Sequence, residues 1–220
     1  MLKMLSGNLA ASAFSMLLTT GVVNNWPPIA PEIHDAALAR GLLRYCPVCD
    51  GYEVTDQRVG VIGTGSHGFK EAVFLRMYTR EVTLVAPSGD HTLSQQERHT
   101  LAELGIKVVD GPCRPLHIAN ELIFVRTPKT ELSFDSVYPA LGSIIRSELA
   151  LMLGAEGSED GCLVVDGHQR TTVPRLYAAG DVTKGLDQIS HAMGEAGVAA
   201  TTIRNDLSRA APLVREGRPR

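Results

Sequence analysis

Two short patterns hold residue types that do redox and nucleotide chemistry. The first is Cys46-Pro47-Val48-Cys49, followed at once by Asp50. Two residues between thiols allow a small disulfide ring. Such a pair cycles between dithiol and disulfide, and one thiol pKa can fall. A carboxyl group beside it can carry a proton to or from a thiolate. Read alone, Asp50 is equally a turn residue ahead of Gly51. For the cysteine pair, a chance spacing or half of a zinc site, taken together, is as good a reading as redox chemistry. A zinc site needs a second ligand pair. Cys113 and Cys162 stand singly and the seven histidines are scattered, so no metal is expected and these two thiols read as buried or idle.

The second pattern is Gly63-x-Gly65-x-x-Gly68. Glycines so spaced allow a tight turn and a close approach of backbone to a pyrophosphate, whose charge a helix N-terminus favours. The pattern has this meaning only between a strand and a helix. It also calls for an acidic residue about 20 positions on, at the end of the next strand, to hold the ribose. Here that strand ends Val85-Ala86-Pro87-Ser88-Gly89, and Asp90 lies beyond a Pro and a Gly. No arginine cluster for a 2′-phosphate replaces it. Two readings stay open: a retained dinucleotide site, or a glycine turn kept for packing alone.

The elements around these patterns must position them. Arg58 to Ile62 is a short apolar, β-branched run and predicts a buried strand leading into the glycines. Phe69, Ala72, Val73 and Met77 then recur at helical spacing. Val82 to Val85 predicts the next strand. Ser94 with Glu97 forms a capping box, and Gly105 is a stop, so a helix is expected over 95–104. Ile106 to Val109 predicts a third strand, and the alternation argues for a parallel α/β unit. Pro27-Pro28 and Pro31 mark a connector after Trp26, with a short helical stretch before Gly41. From Glu121 to Val137 short strands are expected, then a boundary near Leu141-Gly142. Leu163 to Val165 and Leu176 to Ala179 predict further strands. Ala192, Ala196, Ala199, Ala200, Ile203 and Leu207 share one face of a final helix. His191 at its start reads as a surface or capping group.

The chain has 220 residues, 44% of them hydrophobic, and a formal net charge of -3. That is long enough for a real core, and the charge gives no sign of a general nucleic-acid or membrane-surface binder. Uneven cysteine spacing argues against a stapled secreted domain and for a reduced, cytoplasmic setting. Lys3 and the small, apolar residues after it have some signal-peptide character, but the stretch runs into Leu17-Leu18-Thr19-Thr20-Gly21, a strand and turn. No apolar run reaches the ~18 residues of a membrane span.

Several stretches, taken in order, resemble the thioredoxin reductase family. Cys46-Pro47-Val48-Cys49-Asp50-Gly51-Tyr52 resembles its redox segment, and a nucleotide-binding strand and glycine loop follow at 58–68. Leu17 to Gly21 resembles the strand and turn that leave the flavin domain. Tyr177-Ala178-Ala179-Gly180-Asp181-Val182 resembles the late flavin-binding strand, and Gln188-Ile189 with the following helix resembles the segment over the flavin.

The resemblance implies an α/β fold with two Rossmann-like nucleotide-binding domains. Residues 1–37 and 142–220 would form a discontinuous flavin domain, and 38–141 an NAD(P)-binding-like domain carrying the cysteines. It implies FAD and NAD(P)H as cofactors. Electrons would pass through the flavin to Cys46–Cys49 and on to thioredoxin or a small disulfide, in a homodimer. By position Asp50 becomes the proton carrier. Gly63, Gly65 and Gly68 would contact the nicotinamide dinucleotide, and Gly21, Gly180, Asp181, Gln188 and Ile189 the flavin. The pattern departs from the family in two places. Before Gly21 there is one glycine, Gly7, so the opening G-x-G-x-x-G that holds the FAD pyrophosphate is missing. The arginine-bearing motif after the second nucleotide-binding strand is missing too. The alternative is a truncated, non-catalytic relative acting as a binding or regulatory module.

Overall fold

A computed structural model describes residues 2–6 and 9–211. Its elements run β1 (Leu2–Ser6), β2 (Leu9–Ala13), β3 (Met16–Leu18), β4 (Val22–Asn24), α1 (Pro31–Ala39), α2 (Pro47–Asp50), a 3-10 turn (Gly51–Val54), β5 (Val59–Gly63), α3 (Gly65–Leu75), β6 (Val82–Val85), α4 (Gln95–Glu103) and β7 (Lys107–Val109). They continue as β8 (His117–Ala119), β9 (Leu122–Arg126), β10 (Glu131–Phe134), β11 (Ser136–Ala140), β12 (Ser143–Ile145), α5 (Glu148–Met152), β13 (Leu176–Ala178) and α6 (Ile189–Ala210). Two compact units result: residues 24–143, and residues 1–23 with 144–220.

The continuous unit is built on a parallel sheet in the order β11-β5-β6-β7. All five residues of β5, all four of β6 and all five of β11 are buried. Burial on both faces is why these strands read as unbroken apolar runs. Side chains alternate between the two faces. Val59, Val61, Val82, Leu84 and Tyr138 join one core with Ala72 and Leu75 of α3 and Leu101 of α4. Ile62, Val85 and Val137 join a second core with Ile123, Val125 and Phe134 of the antiparallel sheet β10-β9-β8, and with Ala37 of α1. The result is helix layer, parallel sheet, antiparallel sheet.

Local signals set the ends of these elements. Both bonds of the Ser94–Glu97 capping box are present, and Gly105 beyond α4 has φ +69. Helix α3 stops at Leu75, so Met77, expected on its apolar face, is 72% exposed.

In the discontinuous unit β1 and β2 form an antiparallel pair, and β3 pairs in parallel with β13. Leu18, Ala150, Leu163, Leu176, Ala178 and Val182 make its core. Leu163 and Val165 form isolated bridges rather than the expected strand. Helix α6 is tied to the segment before it. Asp206 accepts from Arg170 Nε at 2.8 Å and Nη2 at 2.9 Å, and from the Tyr177 hydroxyl at 2.9 Å. These donors hold its carboxyl down at about 2. The expected face of α6 needs correction at Ala200, which is exposed. Glu195, Ala199 and Thr202 are the buried positions.

Candidate active site

Cys46 and Cys49 are joined as a disulfide, with Cα atoms 5.2 Å apart. Pro47 opens α2 at a position where its missing N–H is no loss. The Cys49 and Asp50 N–H groups close the turn on the Cys46 carbonyl at 2.9 and 3.2 Å. Cys49 is exposed, while Cys46 and Asp50 are half-buried. An outside disulfide or thiol can therefore reach the pair.

Asp50 is held from two sides. Its Oδ1 accepts a 2.7 Å hydrogen bond from the Tyr138 hydroxyl, and its Oδ2 lies 3.1 Å from Arg44 Nη1. The same Arg44 nitrogen donates to Glu53 Oε2 at 2.7 Å, and Arg44 Nε donates to the Gly41 carbonyl at 3.0 Å. Tyr138 is fully buried in β11, paired in register with Val61. Burial and the Asp50 carboxylate push its phenol above the ordinary tyrosine range. Burial opposes the Arg44 charge, but Glu53 and Asp50 outweigh it and raise the guanidinium further. Leu43 bridges in parallel to Val137, which sets Arg44 beside the strand that carries Tyr138.

The glycine loop lies where the sequence places it, between β5 and α3. A Cβ on Gly68 would stand 2.7 Å from the Gly63 carbonyl carbon, and one on Gly63 would stand 2.9 Å from the Ala140 carbonyl oxygen. Only glycine allows this approach of helix to strand. Gly65 has φ +58, and no side chain caps the start of α3. The first N–H groups of the helix are thus left for an anion. These residues fit a pyrophosphate.

The ribose end does not repeat that fit. Ala86 is buried. Gly111 N–H donates to the Gly89 carbonyl at 2.7 Å, and Cys113 N–H to the Pro87 carbonyl at 3.1 Å. Asp90 is exposed beyond this stitched segment. Cys113 is buried as expected, and burial pushes its thiol up to about 11.

Helix α2 packs against α3. One carboxyl on α3 was not marked by any sequence pattern. Glu71 has a buried Oε1 with no hydrogen-bond partner, and burial pushes its carboxyl up to about 7.

The remaining candidates lie in the other unit. Gly21 has φ +62, and its carbonyl accepts from Arg146 N–H at 3.0 Å. Gly180 has φ +77, and its N–H donates to Glu195 Oε2 at 2.7 Å. His191 Nε2 lies 3.1 Å from the other oxygen of Glu195. Asp181 and Gln188 are half-buried, and Ile189 is 82% exposed. Burial, with the nearby Asp181 carboxylate, raises the Asp187 carboxyl. A diphosphate needs N–H donors or cations. This segment offers two carboxylates and one exposed cation, Lys184, and the Gly180 N–H is already taken. Its carboxylates fit the hydroxyl-bearing part of a flavin cofactor better than its diphosphate. Among the described residues no group of three or more His, Cys, Asp or Glu is placed to hold a metal ion. No helix among them is long and apolar enough to cross a membrane.

The chain is similar to known proteins. Thioredoxin reductase of Listeria innocua is 26% identical over 204 residues, covering 88% of this chain and 63% of that protein. Thioredoxin reductase of Treponema pallidum is 29% identical over 206 residues, covering 89% of this chain and 65% of that protein. The chain therefore spans just under two thirds of these relatives' length. The crystal structure of thioredoxin reductase from Streptococcus pyogenes superposes with a TM-score of 0.79 at 22% identity, covering 93% of this chain and 69% of that one. That likeness shows the fold, an α/β arrangement with two Rossmann-like domains. The sequence profile described as pyridine nucleotide-disulphide oxidoreductase matches residues 7–196. A match of that extent takes in both units, and the chain belongs to the pyridine nucleotide-disulphide oxidoreductase family.

Proposed function

We propose that this chain carries the disulfide centre of a flavin-linked thiol–disulfide oxidoreductase. Reducing equivalents from NAD(P)H reach Cys46–Cys49 through FAD and leave for thioredoxin or a small disulfide. One observation carries this reading: a bonded, solvent-reachable cysteine pair whose neighbouring carboxylate is anchored, in the same unit as an uncapped glycine loop. Relatives of similar sequence are named thioredoxin reductase, and that family is FAD-dependent with NADPH as donor.

In this reading the start of α3 binds the pyrophosphate, and Gly63 and Gly68 let the backbone come close enough. A bound flavin supplies the two-electron link between nicotinamide and disulfide. Reducing the pair breaks one S–S bond, takes two electrons and adds two protons. Asp50, beside the exposed Cys49, exchanges those protons with the sulfurs. Gly21, Gly180, Asp181, Gln188 and Ile189 would line the flavin. A homodimer and a cytoplasmic setting are part of the same proposal.

The second reading is a relative that keeps the fold without the flavin. The carboxylates Asp181 and Asp187 of the Gly180–Gln188 segment, which suit hydroxyls better than a flavin diphosphate, favour it. A visible absorption spectrum decides between the two. With added FAD, flavin bands that stay with the protein through desalting, and bleach on adding NADPH or NADH, are expected for the enzyme. No retained flavin overturns the enzyme reading for this chain alone and leaves the binding module.

A further inference from the structure

We propose that Tyr138 and Arg44 are positioning residues for the proton carrier of the disulfide centre. They fix both oxygens of the Asp50 carboxylate, so that one defined orientation serves the Cys46–Cys49 pair. The proposal rests on the reading of that pair as the exchanging one.

The argument is geometric. Asp50 follows Cys49 at the end of a four-residue helix, which by itself does little to hold a side chain. Tyr138 is different: it stands fully buried in a four-stranded sheet, with its backbone in register against Val61. Its hydroxyl, 2.7 Å from Oδ1, therefore gives the carboxylate a rigid reference point. Arg44 holds the second oxygen at 3.1 Å and is itself braced by Glu53 and the Gly41 carbonyl. The Gly41 carbonyl also accepts from Ser136 Oγ at 2.8 Å, which ties this brace back to β11. A carboxylate with both oxygens held loses little orientational freedom when a proton moves, and catalysis by a positioned group depends on such geometry.

The step that uses it balances without other parts. When the reduced pair meets a disulfide, one protein sulfur attacks and its proton passes to Asp50. A mixed disulfide forms, and the displaced sulfur takes that proton from Asp50 and leaves as a thiol. The second protein sulfur then closes the Cys46–Cys49 bond and releases the other thiol. Two protein thiols and one external disulfide become one protein disulfide and two external thiols.

The test uses the full chain, reduced, with neutral 4,4′-dithiodipyridine as oxidant and pyridinethione absorbance as readout. Tyr138→Phe keeps the ring and its packing. Its exchange rate is expected to fall by about 3- to 10-fold, the size of a typical net hydrogen bond. Asp50→Asn should fall further. In the double variant Tyr138→Phe/Asp50→Asn the tyrosine change should add nothing, because residues acting through one group are not additive. A purely structural role for Tyr138 would lower the rate in both backgrounds and overturn the proposal. An unchanged rate in Tyr138→Phe or in Asp50→Asn overturns it too. If the reduced wild-type chain forms no Cys46–Cys49 bond, read by mass after trypsin digestion, the disulfide-centre reading fails first and takes this proposal with it.

Discussion

Glu71 shows how a residue can matter without belonging to any motif. Its Oε1 is buried and unpartnered on α3, and His67 Nε2 lies 3.9 Å from its Oε2. Burial disfavours the charged form, so the carboxyl titrates at about 7 in the fold, against about 4.3 in an unfolded chain. As pH rises, the unfolded chain releases this proton first. The stabilisation is therefore fully present below pH ~4, lost progressively towards pH ~7, and constant above. One pKa unit is about 1.4 kcal/mol, so the loss is on the order of 3–4 kcal/mol. Glu71→Gln keeps the shape and removes the titration. Urea denaturation should find the two proteins alike near pH ~4.5 and the variant more stable by about 3 kcal/mol at pH ~8. Matching midpoints at pH 8 would mean that Glu71 finds a partner or water in solution. The residues of the site divide in the same way. Cys46, Cys49 and Asp50 were legible because their chemistry is written in consecutive positions. Tyr138 was not, because 88 residues separate it from Asp50 and only the pairing of β11 with β5 brings it there.

At the scale of the element, glycines separate packing from propensity. Gly68 lies in α3, where alanine normally favours a helix by up to ~1 kcal/mol. The close approach to Gly63 reverses this, since the added methyl would meet main chain 2.7 Å away and push the helix off the strand. Gly194 in α6 has nothing within 4 Å of the same position. Gly68→Ala is expected to cost about 1–3 kcal/mol through overpacking, and Gly194→Ala to gain up to about 1 kcal/mol. Thermal unfolding of the two variants reads both signs. A stable Gly68→Ala would show that α3 can slide, and the argument for a close pyrophosphate approach would go with it. Helix α4 was fully legible because both its start and its stop are local. The buried face of α6 was not, because Glu195 is buried by polar contacts to Gly180 N–H and the Thr183 hydroxyl. Apolar periodicity cannot register such contacts.

For the whole molecule, the two units differ in how much structure each holds within one stretch of chain. Residues 24–143 are continuous and contain two of the three core clusters found among the described residues, the four-stranded parallel sheet and the disulfide. The other unit is assembled from both ends of the chain and has one core, with β3 and β13 as its parallel pair. A discontinuous domain leaves no periodic trace. The resemblance in the order of the motifs suggested one, and apolar pattern alone gave no sign of it. Continuity and two cores are what a segment needs to fold alone. A protein of residues 24–143 is therefore expected to unfold cooperatively in urea, with an m-value in the range of about 1–3 kcal/mol/M for small domains, and to keep Cys46 and Cys49 bonded and reducible. A sloping transition with exposed apolar surface would show that the cores of this segment are completed by the rest of the chain. Glycine-loop binding could then no longer be assigned to the continuous unit by itself.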